Sequence, residues 1–584
     1  MLLIGSRVTV VGGFPTTGAT TTFSTVSDGI FVAILTVDVV GLDTLVKVAN
    51  GVEQHCPNDE ARGRFKIPSF IQKMVENKWF GDKTKQGFYK KTKNAEGKRE
   101  IQALNLEDFS YKPKQRVSFA TLSAAKVVDK LEDRLAILVH GKDKAGTFYR
   151  RSFTEMFCYA SFRIPEIADQ PYQIDDAMRA GFGWELGPFE LWDALGVQHM
   201  LKLISEQDNT CADWVNEMLA SGCETFYRTH QNKKQYYNLN SKQYEDVPGQ
   251  GSFIILKHMS EEKTVWKNSG TRLTDIGDGI LNLEFQTKMN AIGGEVLQGV
   301  NQAIEIAEKD FQGLVIANQG ANFTVGANLA LVFMMALEQE YDELDFAVRA
   351  FQNTSMDIRY SSIPVVVAPH QMTLGGGTEL SLHADAIQAS AETYMGLVEM
   401  GVGLIPGGAG SKEMALRASD SYFNGSIELP QLKERFLNIA MAKVSTSANE
   451  AYHLGYLEKG KDHISVNKHQ LIADAKKKVL SLADMGYQKP IKRKDIKVLG
   501  KQALGMFLVG ADTMHHSGYV TAHEKKMSEK LAYVMAGGDL SYPTFVSEQY
   551  LLDLEREAFL SLCGERKTLE RIQHMLKTGK PLRN

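Results

Sequence analysis

The sequence predicts two all-α modules, then an α/β domain, then a helical tail. Three observations predict this. Apolar residues recur at helical spacing in two blocks before residue 230. From Gly279 onward, strand-like and helix-like stretches alternate, the pattern of crossover connections. Three glycines, Gly375-Gly376-Gly377, join an apolar run, Val365-Val366-Val367-Ala368, to a segment of helical character beginning at Thr378.

Composition narrows the class of protein. The chain has 584 residues, enough for three or four domains. It is 43% hydrophobic and 23% charged, ordinary for a soluble globular protein, and 66 Lys and Arg against 70 Asp and Glu leave a net charge of −4. That balance gives no reason to expect nucleic acid or an acidic membrane surface as a partner. Five cysteines are scattered without C-x-x-C or metal-ligand spacing, which predicts free thiols, no metal site and a cytoplasmic location. No apolar run approaches the roughly 20 residues of a membrane span.

The chain is expected to divide as follows. Residues 1–36 form an atypical apolar segment rich in Gly and Thr. Arg7, Pro15 and Gly18 break any signal-peptide layout, and Val8-Thr9-Val10-Val11-Gly12-Gly13 imitates a dinucleotide-binding turn without its G-x-G-x-x-G spacing. Residues 37–117 are the first helical module, with Leu42, Leu45, Val46 and Ala49 on one stripe and Phe70, Ile71, Met74 and Val75 on another. The charged run 90–98 reads as a solvated linker. Residues 118–230 are the second module, with a stripe at Phe153, Met156, Phe157 and Ala160. Asp193-x-x-Gly196 echoes Asp38-x-x-Gly41, suggesting two copies of one unit. Residues 231–262 read as a polar connector, 263–465 as the α/β domain and 466–584 as the helical tail. Lys476-Lys477-Lys478 and the run 489–497 read as solvated faces.

Asp38-Val39-Val40-Gly41-Leu42-Asp43, Lys83-Thr84-Lys85-Gln86-Gly87-Phe88-Tyr89 and Gly187-Pro188-Phe189 with Asp193 and Gly196 carry a resemblance to the C-terminal half of 3-hydroxyacyl-CoA dehydrogenases. Lys85 stands where that family usually has glycine. The resemblance implies an NAD-linked oxidation performed on an N-terminal nucleotide-binding domain. Only 36 residues precede the resemblance here, without a Gly-rich loop or catalytic histidine motif. The expectation is therefore a dehydrogenase-like half without its catalytic domain, as from a truncated or mis-started reading frame.

The chemistry-bearing motifs lie in the second half. Lys288-x-x-Ala291 follows the first strand, then Phe323-x-x-Gly326-Ala327-x-Leu329, then Leu374-Gly375-Gly376-Gly377-x-Glu379. Glu399 lies 20 positions beyond Glu379 and is followed by Gly403, Ile405, Pro406 and Gly407. In that order and spacing these segments resemble the crotonase (enoyl-CoA hydratase) family, through about Gly460. The resemblance implies a ClpP/crotonase-like fold and an acyl-CoA thioester substrate. It implies an oxyanion hole from the N–H groups of Ala327 and Gly376. Glu379 and Glu399 would share the proton transfers around one water, and Ala291, Gly326, Gly375, Gly403, Pro406 and Gly407 would bind substrate. Asn328 and Gln371 depart from the family's usual Asp and Gly. His383 reads as a packing residue and His515-His516 as surface.

Together the two resemblances imply a bifunctional fatty-acid β-oxidation protein. It would hydrate trans-2-enoyl-CoA to 3-hydroxyacyl-CoA without a cofactor, and the intact family protein would oxidise that product with NAD. Thiolase or another β-oxidation enzyme, and a second copy of the chain, are the implied partners. Isomerisation of 3-enoyl-CoA, which runs on one glutamate, and acyl-CoA binding without turnover are the competing readings.

Overall fold

A computed structural model describes residues 37–93, 96–114, 118–128 and 130–584. The N-terminal segment 1–36, with its Val8–Gly13 motif, lies outside the described residues. The chain divides into two compact units, Met1–Pro248 and Gly249–Asn584.

In the first unit, α1 (Leu42–His55) and α2 (Ser69–Glu76) bury Leu42, Leu45, Ala49, Ile71 and Met74 together. These are residues from the two predicted stripes. The chain then forms a three-stranded antiparallel sheet, β1 (Tyr89–Lys93), β2 (Arg99–Leu104) and β3 (Tyr111–Pro113). The charged run expected to be a linker thus supplies most of β1. Its lysines line a partly exposed ladder, so the hydrophobic alternation that marks a strand is missing.

The second module runs through α3 (Ala120–Lys126), α4 (Leu131–His140), α5 (Lys144–Phe162), α6 (Pro171–Phe182), α7 (Pro188–Leu195), α8 (Val197–Ser205) and α9 (Asp213–Ala220). Phe157 and Ala160 are buried; Phe153 and Met156 pack at the margin of the same core, around Phe189 and Trp192. It too ends in a three-stranded antiparallel sheet, β4 (Tyr227–His230), β5 (Lys233–Asn238) and β6 (Gln243–Asp246). The first half of the expected connector is therefore structured. Tyr236 and Tyr237 are buried in a segment whose Lys, Gln and Asn content suggests a loop.

The two modules share one device. Asp38 accepts hydrogen bonds from the backbone N–H groups of Phe88 (2.9 Å) and Tyr89 (2.8 Å), and Asp193 from those of Phe226 and Tyr227 (both 2.8 Å). Each aspartate is followed three residues later by a glycine of positive φ, Gly41 at 106° and Gly196 at 84°, opening α1 and α8. Asp175 serves the start of α7 similarly, accepting from Phe189 N (2.9 Å) and Glu190 N (3.1 Å). A side chain at Gly187 would collide with Asp175, which explains the Gly187-Pro188-Phe189 motif.

The second unit is built on a seven-stranded sheet. In chain order its strands are β7 (Thr264–Lys267), β8 (Thr271–Asp275), β9 (Ile280–Phe285), β10 (Gly313–Ile316), β11 (Val365–Val367), β13 (Ala386–Ser390) and β15 (His463–Ser465). Their order across the sheet is β15-β13-β11-β10-β9-β8-β7, parallel from β15 to β9 and antiparallel beyond. Helix α10 (Gly294–Asp310) covers one face through Val296, Val300, Ala303 and Ala307, against Leu281, Leu283, Leu314 and Val365. Helix α17 (Leu471–Asp484) covers the other, setting Leu471, Ile472, Ala475 and Val479 against Ile280, Val315 and Val366. Burial on both faces is why these strands read as unbroken apolar runs. Each fully buried Leu or Val contributes about 1.5–3 kcal/mol.

Helices α11 (Leu329–Leu337) and α12 (Tyr341–Arg359) lie between β10 and β11 in the chain. A separate parallel pair, β12 (Gln371–Leu374) and β14 (Thr393–Gly396), flanks α13 (Gly376–Leu382). Beyond come α14 (Gly410–Asp420), α15 (Leu429–Ala440) and α16 (Ala448–Leu454), the last ending at Gly455 with φ 74°. The tail adds α18 (Gly500–His516), α19 (Ala522–Ala536), α20 (Glu548–Cys563) and α21 (Arg566–Thr578), with a short pair β16 (Ile496–Val498) and β17 (Thr544–Val546). These helices share one core with α14–α16, so the tail folds onto the α/β domain.

Candidate active site

Two loops meet at the glycine motif. Ile292 N donates to Gly326 O (2.9 Å) and Asn328 N to Ile292 O (3.0 Å), so Ala291 stands beside the Gly326-Ala327 segment. Thr324 N donates to Met372 O (3.1 Å) and Leu374 N to Thr324 O (3.2 Å), which docks that segment on β12. Gly326 (φ 99°) and Gly375 (φ 53°) adopt conformations that L side chains resist. A Cβ on Gly376 would stand 3.4 Å from Ala327 N, and one on Gly326 would stand 3.4 Å from Gly376 N. The two predicted donor groups are therefore neighbours, although 49 residues separate them in sequence. Neither N–H has an acceptor among the described residues. Gly376 opens α13, where a first-turn N–H has no partner within its helix.

Glu379 lies in the same first turn of α13 and is 3% exposed. Its Oε1 accepts from Gly408 N (2.8 Å) and Gly410 N (2.9 Å), at the start of α14. Burial, then the charges of Glu399 and Glu555, push its carboxyl well above the usual carboxylate range; the two N–H donors oppose this. Glu399 opens the short turn Glu399–Val402. Its Oε1 lies 2.9 Å from where a Cβ on Gly375 would be, and its Oε2 is buried without a partner. The carboxyl end is enclosed although the residue as a whole keeps some exposure. Burial pushes it up to about 7, with the Glu555 charge adding to the effect. Two such coupled carboxyls titrate as a pair and hold a proton into the neutral range.

The sequence reading missed several neighbours. The ring of Phe351, on α12, fills the space between Gly376 and Gly408. A Cβ on Gly376 would meet its Cζ at 2.7 Å, and one on Gly408 would meet its Cδ1 at 2.5 Å and Glu379 Oε2 at 2.8 Å. Phe351 is thus an apolar wall beside the Glu379 carboxyl. Glu555, on α20, is fully buried. Leu551 and Phe559, one turn before and after it, are also buried. That spacing puts Glu555 on the apolar face of its helix, the signal that would have revealed it.

The remaining expected residues divide. Pro406 packs against Gly410, where a Cβ would meet it at 2.9 Å. A Cβ on Gly403 (φ 91°) would stand 2.8 Å from Thr568 Cα, and one on Gly407 would stand 2.6 Å from Phe559 Cδ2. Those two glycines make room for α21 and α20. His383 is a packing residue: Nδ1–H donates to Glu379 O (2.6 Å) and Nε2 accepts from Lys412 Nζ (2.9 Å). Gln371, at a position where the resembled family often has glycine, has φ 49°, and Lys85, in the same situation, has φ 61°. Asn328 caps α11 by accepting from Leu331 N (3.3 Å). Among the described residues no cluster of His, Cys, Asp and Glu is placed to hold a metal. No helix there is long and apolar enough to cross a membrane.

The site sets two backbone donors without acceptors beside two enclosed carboxyls, and comparison with known families gives the class: enzymes acting on acyl-CoA thioesters. Residues 275–421 match the family "Enoyl-CoA hydratase/isomerase", and residues 32–91 and 148–243 match "3-hydroxyacyl-CoA dehydrogenase, C-terminal domain". A Bacillus subtilis protein named "Probable 3-hydroxyacyl-CoA dehydrogenase" is 44% identical over 550 residues, 94% of this chain and 68% of that protein. The chain belongs to that family. A Rickettsia felis protein, provisionally named a fatty acid oxidation complex trifunctional enzyme, is 27% identical over 92% of this chain and 67% of its own length. An enoyl-CoA hydratase structure from Bacillus halodurans aligns with 52% of this chain and 99% of its own, at a TM-score of 0.35 and 17% identity. The protein is thus a multidomain enzyme of fatty-acid β-oxidation, with a crotonase-type α/β domain behind two dehydrogenase-type helical modules.

Proposed function

We propose that the second unit adds water to trans-2-enoyl-CoA, forming 3-hydroxyacyl-CoA. The observation that carries this is the juxtaposition of Ala327 N and Gly376 N beside two buried carboxyls with raised proton affinity. The thioester oxygen sits between the two N–H groups, which stabilise it as it becomes enolate-like. One such donor is worth about 3 kcal/mol of barrier. One carboxyl of the Glu379–Glu399 pair is ionised and takes a proton from water as its oxygen bonds to the β-carbon. The other, protonated, delivers its proton to the α-carbon as the enolate collapses. Both protons are accounted for and no redox partner is needed.

Gly326 and Gly375 keep the approach to the donors open and Ala291 stands beside it, while Gly403, Pro406 and Gly407 act indirectly, by letting α20, α21 and α14 pack behind the Glu399 turn. An apolar cavity of about 780 Å³, lined by Met400, Gly401, Phe436 and Met527, is the space we assign to an acyl chain. Oxidation of the product with NAD is the reaction proposed for the whole family protein, with a thiolase consuming the ketoacyl product. Among the described residues no G-x-G-x-x-G turn is present, so no hydride step is assigned to them.

The test is loss of enoyl-thioester absorbance with crotonyl-CoA. Wild type should be active, with Glu379→Gln and Glu399→Gln each lower by orders of magnitude. Full activity in both variants refutes the assignment. Faster turnover of a 3-enoyl than a 2-enoyl substrate would replace hydration with isomerisation.

A further inference from the structure

We propose that Glu555, supplied by the C-terminal tail, is a third carboxylate of the active site: a positioning residue that shares the N-terminus of α14 with Glu379 and holds a proton on the Glu379–Glu399 pair. The inference rests on the hydratase reading and adds a residue lying outside the segment 275–421 that matches the hydratase family.

The geometry is specific. Four backbone N–H groups at the start of α14 point at two carboxylates in alternation. Glu379 Oε1 takes those of Gly408 (2.8 Å) and Gly410 (2.9 Å). Glu555 takes that of Ala409 (2.6 Å) on Oε1 and that of Lys412 (3.0 Å) on Oε2. A helix start offers only a few free N–H groups and a partial positive charge of about half a unit. Glu555 therefore uses part of the stabilisation that Glu379 would otherwise have to itself, and fixes the loop that orients Glu379.

Helix α12 locks Glu555 in place. Gln352 Nε2 donates to Glu555 Oε1 (3.2 Å) and to Leu552 O (3.0 Å). Arg556 Nη1 donates to Gln352 Oε1 (3.1 Å), and its Nε pairs with Asp345 (2.9 Å). Two turns before Glu555, Glu548 pairs with the buried Lys412 Nζ (2.9 Å). A buried carboxylate with three donors stays ionised in the neutral range, although burial raises it to about 6.

The charged groups around it decide what that ionised carboxylate does. Lys412 is the nearest cation, but its ammonium is already held by Glu548, Glu413 and His383. Arg556 is engaged by Asp345, Asp553 and Gln352. Arg359 and Arg417 serve Glu413. The groups left to respond to the Glu555 charge are Glu379 and Glu399, and like charge disfavours ionising the second member of the pair.

The experiment is the pH profile of crotonyl-CoA hydration by the full chain. Glu555→Gln keeps the shape and removes the charge. The pair should lose its last proton more easily, so the alkaline limb of kcat should move down by about one pH unit. Gln352→Leu, which removes a donor to Glu555 and raises its proton affinity, should move the limb the same way by a smaller step. It also decides the matter if Glu555→Gln does not fold. Active variants whose profiles superimpose on wild type would overturn the proposal and leave Glu555 a packing residue. Absence of hydration in wild type would instead overturn the hydratase reading.

Discussion

Asp38 and Asp193, 155 residues apart, make the same pair of hydrogen bonds: each carboxylate accepts the two N–H groups that open its module's sheet. A sequence echo of four residues is thus a structural repeat with a physical purpose. Replacing either aspartate by Ala strands two partly buried donors, each at the low end, about 1–2 kcal/mol, of the cost of an unsatisfied buried group. Asp193→Ala and Asp38→Ala should each destabilise the chain by about 2–4 kcal/mol. Denaturant unfolding followed by circular dichroism measures this; a change under 1 kcal/mol would contradict it.

Gly376→Ala tests the oxyanion site without touching a carboxyl. The new methyl would press on Phe351 Cζ at 2.7 Å and stand 3.4 Å from Ala327 N, in the space proposed for the thioester oxygen. Hydration should fall about 10²–10³-fold, as on loss of an oxyanion donor. Circular dichroism matching wild type would show that the loss is catalytic.

Lys85 and Gln371 sit at φ 61° and 49°. For a residue with a side chain the left-handed conformation costs roughly 1–2 kcal/mol, while glycine loses about 0.5–1 kcal/mol more in chain entropy. Lys85→Gly and Gln371→Gly should therefore each be neutral or stabilising by up to about 1 kcal/mol. A fall in Tm in both variants would show that these turns are not strained.

Acid should weaken the second unit through His523. Burial, helped by the Arg571 charge, lowers its proton affinity to about 4, and its ring lies 3.0 Å from the Thr568 hydroxyl, which donates to Gly403 O (2.8 Å). The unfolded chain takes up this proton near pH 6.5 and the folded chain does not, so the unfolded state binds more protons between those values. Stability is complete above pH 6.5 and is lost as pH falls toward 4, by up to about 3 kcal/mol. In His523→Gln this part of the slope should disappear from a pH series of unfolding midpoints.

Much of the site was legible because its parts are local. Glycines in strained or crowded turns, a helix start and two glutamates at a fixed interval leave their mark within short segments, as at Leu374–Glu379 and Glu399–Gly407. The parallel strands were legible too, since burial on both faces writes itself as runs such as Val365-Val366-Val367. The strands Tyr89–Lys93 and Lys233–Asn238 were not, because lysines and tyrosines on a partly exposed ladder carry no clear alternation.

By itself, then, the sequence determined the order of modules, the two glycine loops and the carboxyl pair. Only the tertiary structure decided which distant groups complete the site. Phe351 walls Glu379, and Glu555, 176 residues beyond Glu379, competes with it for the N–H groups of one helix. The spacing of Leu551, Glu555 and Phe559 marks a glutamate on an apolar helix face, but not what it meets there. That is set by the packing of α14, which no local pattern records.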